Sequence, residues 1–175
     1  MDVRALLDIR AVLGTVEAAA ALGVASLLRR ALPMRRWSRM LGTVGAAPAV
    51  LPGRPPATRR DRRVAVDLRR AERRLPWTLN CLDRAVAGQL LLRRRGGAGT
   101  VVIGLDRLDP AGVPHAWLVT SDSVIVGGEV AGRFVAATAF SPDLRRQLGL
   151  GADRSTSRRP DNTAERAANR RSSTR

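Results

Sequence analysis

The sequence predicts an α+β fold, with helices in the first half of the chain and antiparallel strands in the second. Up to residue 95, apolar residues recur at steps of three and four, which is the helical period. After Gly96 and Gly97 the pattern changes to short valine-rich runs separated by turn residues. A chain of 175 residues is long enough for one domain with a hydrophobic core.

Residues 3–31 are predicted to form one or two helices. The helical period is visible in an apolar series made up of Leu6, Ile9, Leu13, Val16 and Ala20. Pro33 ends this region, a short basic amphipathic turn follows at 34–41, and a loop rich in Gly, Ala and Pro covers 42–56.

Two further helices follow that loop. The first covers residues 59–75, buries Val64, Leu68 and Ala71, and is broken by Pro76. The second begins near Asn80, whose side chain can accept a hydrogen bond from a free backbone N–H, and runs to Arg95. Gly96 and Gly97 then stop it.

The strands are predicted from residue 100 onward. A β run covers 100–105, and a turn-rich loop covers 109–114. Residues 115–120 and 124–127 form a hairpin, and 134–140 form a further strand. We therefore expect an N-terminal helical region at 1–58, a core at 59–150 and a disordered basic tail at 151–175.

The composition restricts the function classes. The net charge is +16 and all 31 basic residues are arginine, which favours an acidic partner. One cysteine excludes an internal disulfide and a cysteine-based zinc cluster, and it fits a reducing cytoplasm. Asp2 and Asp8 stand where a signal peptide would be basic. The apolar run 11–28 contains Glu17 and is expected to fall short of a membrane span and to form a packed or surface-lying helix. Membrane association through this helix is left open but is not predicted.

The chemistry-bearing residues are Cys81, the only cysteine, and His115, the only histidine. Cys81 falls in the first turn of a predicted helix, where the positive end of the helix stabilises a thiolate and free N–H groups can hold an oxyanion. His115 opens a strand that would pack near that helix. The alternative is structural, because a lone cysteine is most often a small buried hydrophobe.

Several stretches of the chain resemble the leader peptidases of lasso-peptide biosynthesis, which have a transglutaminase-like or papain-like core. The resemblance extends over residues 10–140 and is carried by NCLDRA (80–85), LLLRRRG (90–96), VVIG (101–104), HAWL (115–118), LPMRR (32–36) and RLPW (74–77). It implies a stand-alone cysteine peptidase, without a cofactor or metal, in which Cys81 is the nucleophile and His115 the base. It further implies a precursor peptide as substrate, a separate leader-recognition protein and an ATP-dependent macrolactam cyclase as partners.

The group that orients His115 depends on the register of the hairpin. Asp122 lies at the hairpin tip, about 20 Å away at roughly 3.3 Å per residue, and cannot reach the ring. If Ser121, Asp122 and Ser123 form the loop, Thr120 faces Val124 and His115 lies opposite Glu129. A two-residue loop would instead place Gly128 opposite His115 and Glu129 on the other side of the sheet. Glu129 is therefore the predicted acid, and a backbone carbonyl or no acid remains the alternative.

Other predictions concern neighbouring residues and other function classes. Asp83 is expected to stabilise the helix start and Arg84 to make a structural ion pair. Trp117 is expected to share the sheet face of His115 and to fill the core there rather than to form a wall of the site. An inactive scaffold with the peptidase fold remains an alternative. A nucleic-acid-binding protein is less favoured, because the arginines are not interleaved with aromatic residues.

Overall fold

The structure, a computed structural model, describes residues 3–45, 58–120 and 123–142, with side chains from residue 8 onward. All of them belong to one compact unit, residues 1–144. The helices are α1 (Val3–Ala31), α2 (Met34–Trp37), α3 (Arg59–Glu72) and α4 (Cys81–Arg94). The strands are β1 (Thr43–Gly45), β2 (Thr100–Asp106), β3 (His115–Val119), β4 (Val124–Val126) and β5 (Phe134–Ser141).

The predicted α+β class is confirmed. The five strands form one sheet in the order β1-β5-β2-β3-β4, and every neighbouring pair is antiparallel. Strand β1 lies inside the segment that the sequence predicts to be a loop, so that part of the prediction is wrong. The strand has only three residues and pairs with β5, so no local pattern identifies it.

Local signals explain where α3 begins and where α4 ends. Helix α3 ends at Glu72, so the predicted end at residue 75 is three residues too late. The side chain of Thr58 accepts a hydrogen bond from the N–H of Asp61 at the start of α3. At the end of α4, the N–H of Gly97 donates to the carbonyl of Leu92, and Gly96 has a positive φ of 70°. This is the glycine-dependent helix ending that the sequence predicts.

The sheet has a different core on each face. On one face, Ala116 and Leu118 of β3 belong to the larger core, to which α1, α3 and α4 also contribute. Gly88 lets α4 approach this face closely, since a Cβ there would lie 2.6 Å from Leu118. On the other face, Trp117 and Val119 belong to a smaller core. Trp117 is therefore a core residue, as expected.

Gln89 of α4 ties three separate segments together. Its side chain is fully buried, and the two N–H groups of Nε2 are shared among the carbonyls of Leu41, Gly99 and Phe140, at 3.0, 2.9 and 3.2 Å. The Leu41 carbonyl lies just before β1, the Gly99 carbonyl lies just before β2, and the Phe140 carbonyl lies within β5. The hydrogen bonds therefore fix the helix to three strands of the sheet.

Helix α1 packs against α3 and α4 through small residues. Ala18 and Ala25 are buried, and Gly14 leaves no room for a Cβ beside Asp67. The carboxylate of Glu17 accepts from Arg95 at 2.8 Å, which ties α1 to the end of α4. The domain boundary at residue 58 and the division at 150 stay predictions, and the tail lies outside the described residues.

Among the described helices, the segment Asp8–Ala31 of α1 is long and apolar enough to cross a membrane. An 18-residue window within it has a mean hydropathy of 1.8, because many alanines, valines and leucines outweigh Glu17. By length and composition, the expectation that this run falls short of a span is therefore wrong. Core helices and signal sequences meet the same criterion, so it does not make α1 a membrane span.

Candidate active site

Cys81 is the first residue of α4, as the sequence predicts. Asn80 is the N-cap: its side chain accepts from the N–H of Asp83 at 2.8 Å, and its own N–H donates to the Asp83 carboxylate at 3.3 Å. This reciprocal pair is a capping box. The thiol of Cys81 is free and half-buried at the edge of the larger core. It lies at the end of α4 where backbone N–H groups lack helical partners.

A buried ion pair holds the start of α4 against α1. The Asp83 side chain is buried and accepts from Nε of Arg29 at 2.8 Å and from its terminal nitrogen at 3.3 Å. The hydrogen bond to Asp83 raises the pKa of the Arg29 guanidinium above its ordinary value. Beside it, Arg84 pairs with Glu72 of α3 at 2.5 Å. Asp83 and Arg84 thus have the structural roles that the sequence indicates.

His115 is the first residue of β3, and its ring is held by a backbone group. Its Nε2 lies 3.0 Å from the carbonyl oxygen of Gly127. Because a carbonyl oxygen can only accept, the hydrogen bond places the proton on Nε2 and leaves Nδ1 of the neutral ring as an acceptor. The ring also stacks on Trp117 and packs against Phe134, at centroid distances of 5.9 and 4.9 Å.

The rings that contact His115 lie on the sheet face opposite to α4. Trp117 and Phe134 belong to the smaller core, whereas Cys81 packs at the edge of the larger one. Within residues 3–45, 58–120 and 123–142, no hydrogen bond joins the thiol of Cys81 to the ring of His115. The pairing of these two residues in catalysis therefore stays a prediction.

Glu129 lies outside the hairpin pairing. Val119, not Thr120, pairs with Val124, and an irregularity follows before Leu118 pairs with Val126. The predicted Thr120–Val124 register is therefore wrong. Strand β4 ends at Val126, and Gly127 follows with a φ of 77°.

The exposed Glu129 side chain borders a cavity of about 350 Å³ together with Glu72 and Arg84. In the described part of the chain its carboxylate makes no hydrogen bond to His115. The group that faces the ring is the Gly127 carbonyl, the kind of partner that the sequence leaves as an alternative to Glu129. Glu129 as a catalytic acid stays a prediction, and Asp122 lies outside the described residues.

Gly127 is the site residue that sequence reasoning does not single out. A Cβ at this position would lie 2.9 Å from the carbonyl oxygen of Ala116 and 3.3 Å from Nε2 of His115. The positive φ and the close approach both favour glycine. The available signal is the Gly127–Gly128 pair, which indicates a backbone irregularity after the hairpin but not its hydrogen-bond partner.

Comparison with known proteins identifies one family. A family model named Transglut_core3 and described as the transglutaminase-like superfamily matches residues 24–139. The match begins within α1, includes Cys81 and His115, and ends within β5. No curated protein and no solved structure matches the chain significantly.

Proposed function

Since this chain belongs to the transglutaminase-like superfamily, we propose that it is a cysteine peptidase with Cys81 as nucleophile and His115 as base. The observation that carries the proposal is the position of the only cysteine, at the first residue of a capped helix inside the matched range. The superfamily includes cysteine proteases. Backbone N–H groups at such a helix start are suited to hold an oxyanion.

In this mechanism Nδ1 of His115 takes the proton from the thiol, because Nε2 is committed to the Gly127 carbonyl. The thiolate attacks the scissile carbonyl, and free N–H groups at the start of α4 stabilise the oxyanion. His115 then returns the proton to the leaving amine, and water hydrolyses the thioester. The Gly127 carbonyl acts in place of a carboxylate by fixing the tautomer and orientation of the ring.

The mechanism requires the ring to meet the thiol when substrate is bound. Catalytic hydrogen bonds often form only in the complex with substrate, so the lack of one between these two side chains in the described part of the chain is compatible with this role. The start of β3 and the start of α4 are the parts that would have to close. The Asp83–Arg29 pair keeps the α4 side of this junction fixed.

For the substrate we propose the leader region of a ribosomally made lasso-peptide precursor. The support is the resemblance of NCLDRA (80–85) and HAWL (115–118), in this order, to the leader peptidases. The proposal includes a separate leader-recognition protein, association with the macrolactam cyclase and action in the cytoplasm. The arginine-rich surface is suited to an acidic peptide or partner.

A second candidate function is that of an inactive scaffold with the same fold. The observation that favours it is the position of the His115 ring, which is bound by a carbonyl and packed on the sheet face away from α4. In a scaffold these contacts are purely structural. Cys81 then only fills the edge of the core.

A cleavage assay tests the peptidase directly. The precursor and its recognition protein are incubated with wild type, Cys81→Ala, His115→Ala or Glu129→Ala, and leader release is followed by mass spectrometry. Asp109→Ala is the matched control for Glu129, because both acids are exposed. We expect cleavage to be lost with Cys81→Ala and His115→Ala and retained with Glu129→Ala. Unchanged cleavage by Cys81→Ala would refute the proposal.

A second experiment needs no substrate. Because Cys81 is the only cysteine, iodoacetamide labels a single thiol, and the labelling rate reports whether His115 acts on it. If the histidine activates the thiol, His115→Ala lowers the rate by roughly tenfold at neutral pH. Equal labelling rates for wild type and His115→Ala, measured in the presence of the precursor and the recognition protein, favour the scaffold.

A further inference from the structure

Helix α1 directs its large apolar residues away from the domain. Successive residues of a helix are about 100° apart, so residues at steps of three, four and seven share a face. The large apolar residues on the outer face, between 47% and 65% exposed, are Ile9, Val12, Leu13, Val16, Val24 and Leu27. The buried face contains Gly14, Ala18, Leu22 and Ala25, of which only Leu22 is large. We call the exposed series the α1 ridge.

The α1 ridge is too long and continuous to be scattered surface hydrophobicity. From Ile9 to Leu27 it extends about 27 Å along the helix, at 1.5 Å per residue. An apolar stripe of this kind marks an interaction surface. Each of its side chains is about half exposed or more, so the apolar stripe is open to solvent.

Arginines flank the ridge on both sides. Toward α4, a groove of about 870 Å³ is lined by Leu13 and Val16 together with Arg94 and Arg95. Toward α3, Val12 and Val16 share a second groove with Arg70 and Arg74. The grooves along the helix also include Arg10, Arg62 and Arg63.

The acids near the ridge do not cancel this charge. The acidic residues that line the three grooves are Glu17 and Asp67. Glu17 is paired with Arg94 and Arg95, and Asp67 is buried and also pairs with Arg95. Seven arginines therefore face two acids, and the surroundings of the ridge are strongly positive.

We propose that the α1 ridge docks this protein on an anionic membrane surface, with its apolar side chains in the boundary between headgroups and acyl chains. An exposed apolar stripe between rows of cations is the arrangement by which a helix lies in the membrane interface. The grooves on both sides of the ridge are lined by arginines, which suits a flat anionic surface. The helix lies along the surface and does not cross it, because Glu17 and Arg29 bind it to α4. This inference goes beyond the proposed function and does not depend on it.

Co-sedimentation with vesicles tests the proposal on the full chain. The probes are vesicles of neutral phosphatidylcholine and vesicles that also contain about 30% phosphatidylglycerol, an anionic lipid. We expect binding to the anionic vesicles, weaker binding to the neutral ones, and release as the salt concentration rises. Absence of binding to anionic vesicles at low salt overturns the proposal.

Variants of the α1 ridge distinguish membrane docking by this surface from nonspecific hydrophobic binding. Leu13→Glu and Val16→Glu place a charge on the ridge and should weaken binding by at least about tenfold. Leu108→Glu is the matched control, because Leu108 is 89% exposed but lies far from α1 in the sequence, in the loop after β2. Circular dichroism verifies that each variant is folded. Equal binding by the ridge variants and the control overturns the proposal.

Variants of the flanking arginines test the electrostatic part of the proposal. Arg70→Gln and Arg74→Gln should each weaken binding to anionic vesicles by about fivefold and leave binding to neutral vesicles unchanged. An acidic amphipathic peptide serves as a competitor. If the ridge binds that peptide but neither kind of vesicle, it is a protein-docking surface and the membrane proposal is wrong.

Discussion

Removal of the Asp83 carboxylate should destabilise the domain and disturb the start of the cysteine-bearing helix. In Asp83→Ala the capping box loses the hydrogen bond from the Asn80 N–H to the carboxylate, which costs about 1 kcal/mol, whereas the Asn80 side chain still accepts from the backbone N–H of residue 83. The two charge-assisted hydrogen bonds from Arg29 are also lost. A hydrogen bond to a charged group contributes about 1.5–3 kcal/mol. Because Arg29 is partly exposed and water can replace Asp83 as its partner, we expect this second loss to be about 2 kcal/mol. We expect the free energy of unfolding to fall by about 3 kcal/mol.

Urea unfolding measured by tryptophan fluorescence gives the required free energies. Asp83→Asn retains an oxygen acceptor for the helix start and should lose only about 1–2 kcal/mol. Arg29→Ala and the double variant complete a thermodynamic cycle, in which the coupling should be at least about 1 kcal/mol. A loss below about 1 kcal/mol for Asp83→Ala, or a coupling near zero, would contradict the role assigned to this pair.

Three further predictions concern the core, the pH dependence and the candidate site. Gln89→Met keeps the side-chain volume but removes the amide donor from the buried carbonyls of Gly99 and Phe140, whereas the Leu41 carbonyl keeps its hydrogen bond from Arg93, so urea unfolding should show a loss of about 2 kcal/mol; wild-type stability would refute this. The hydrogen bond from Arg133 lowers the pKa of Asp106, so the carboxylate stabilises the fold above the pKa of the unfolded chain, about 4, and this contribution disappears as the pH falls toward the lower folded value. In thermal melts, the Tm difference between wild type and Asp106→Asn should thus shrink below pH 4 or so and stay constant near neutrality. Gly127→Ala should cost about 1–2 kcal/mol because of the positive φ, and it should shift the NMR signal of the only histidine ring, His115; an unchanged signal would argue against the Gly127 contact.

Much of the local structure was predictable because local rules decide it. The ends of α4 depend on a capping residue before it and two glycines after it, and both signals are contained in short stretches of sequence. The strands β3 and β5 follow from β-branched and apolar runs between turn residues. The position of Cys81 at a helix start was predictable for the same reason.

The identity of the partner of His115 was not predictable, because a shift of one residue in a hairpin changes which group faces the ring. The irregularity between Leu118 and Val119 and the backbone turn at Gly127 place a carbonyl there instead of the Glu129 side chain. A backbone carbonyl belongs to every residue, so no residue type signals it in a sequence.

The sequence by itself determined that helices come first and, apart from β1, strands second, and it determined the start of α3, the limits of α4 and the residue types available for thiol chemistry. The tertiary structure decided which face of each element is covered. In α1 the periodic residues Ile9, Leu13 and Val16 predicted the helix, yet they are exposed, because the small residues on the opposite face allow close packing on α3 and α4. Helical periodicity shows that a face exists, and only the neighbouring helices determine which face they bury.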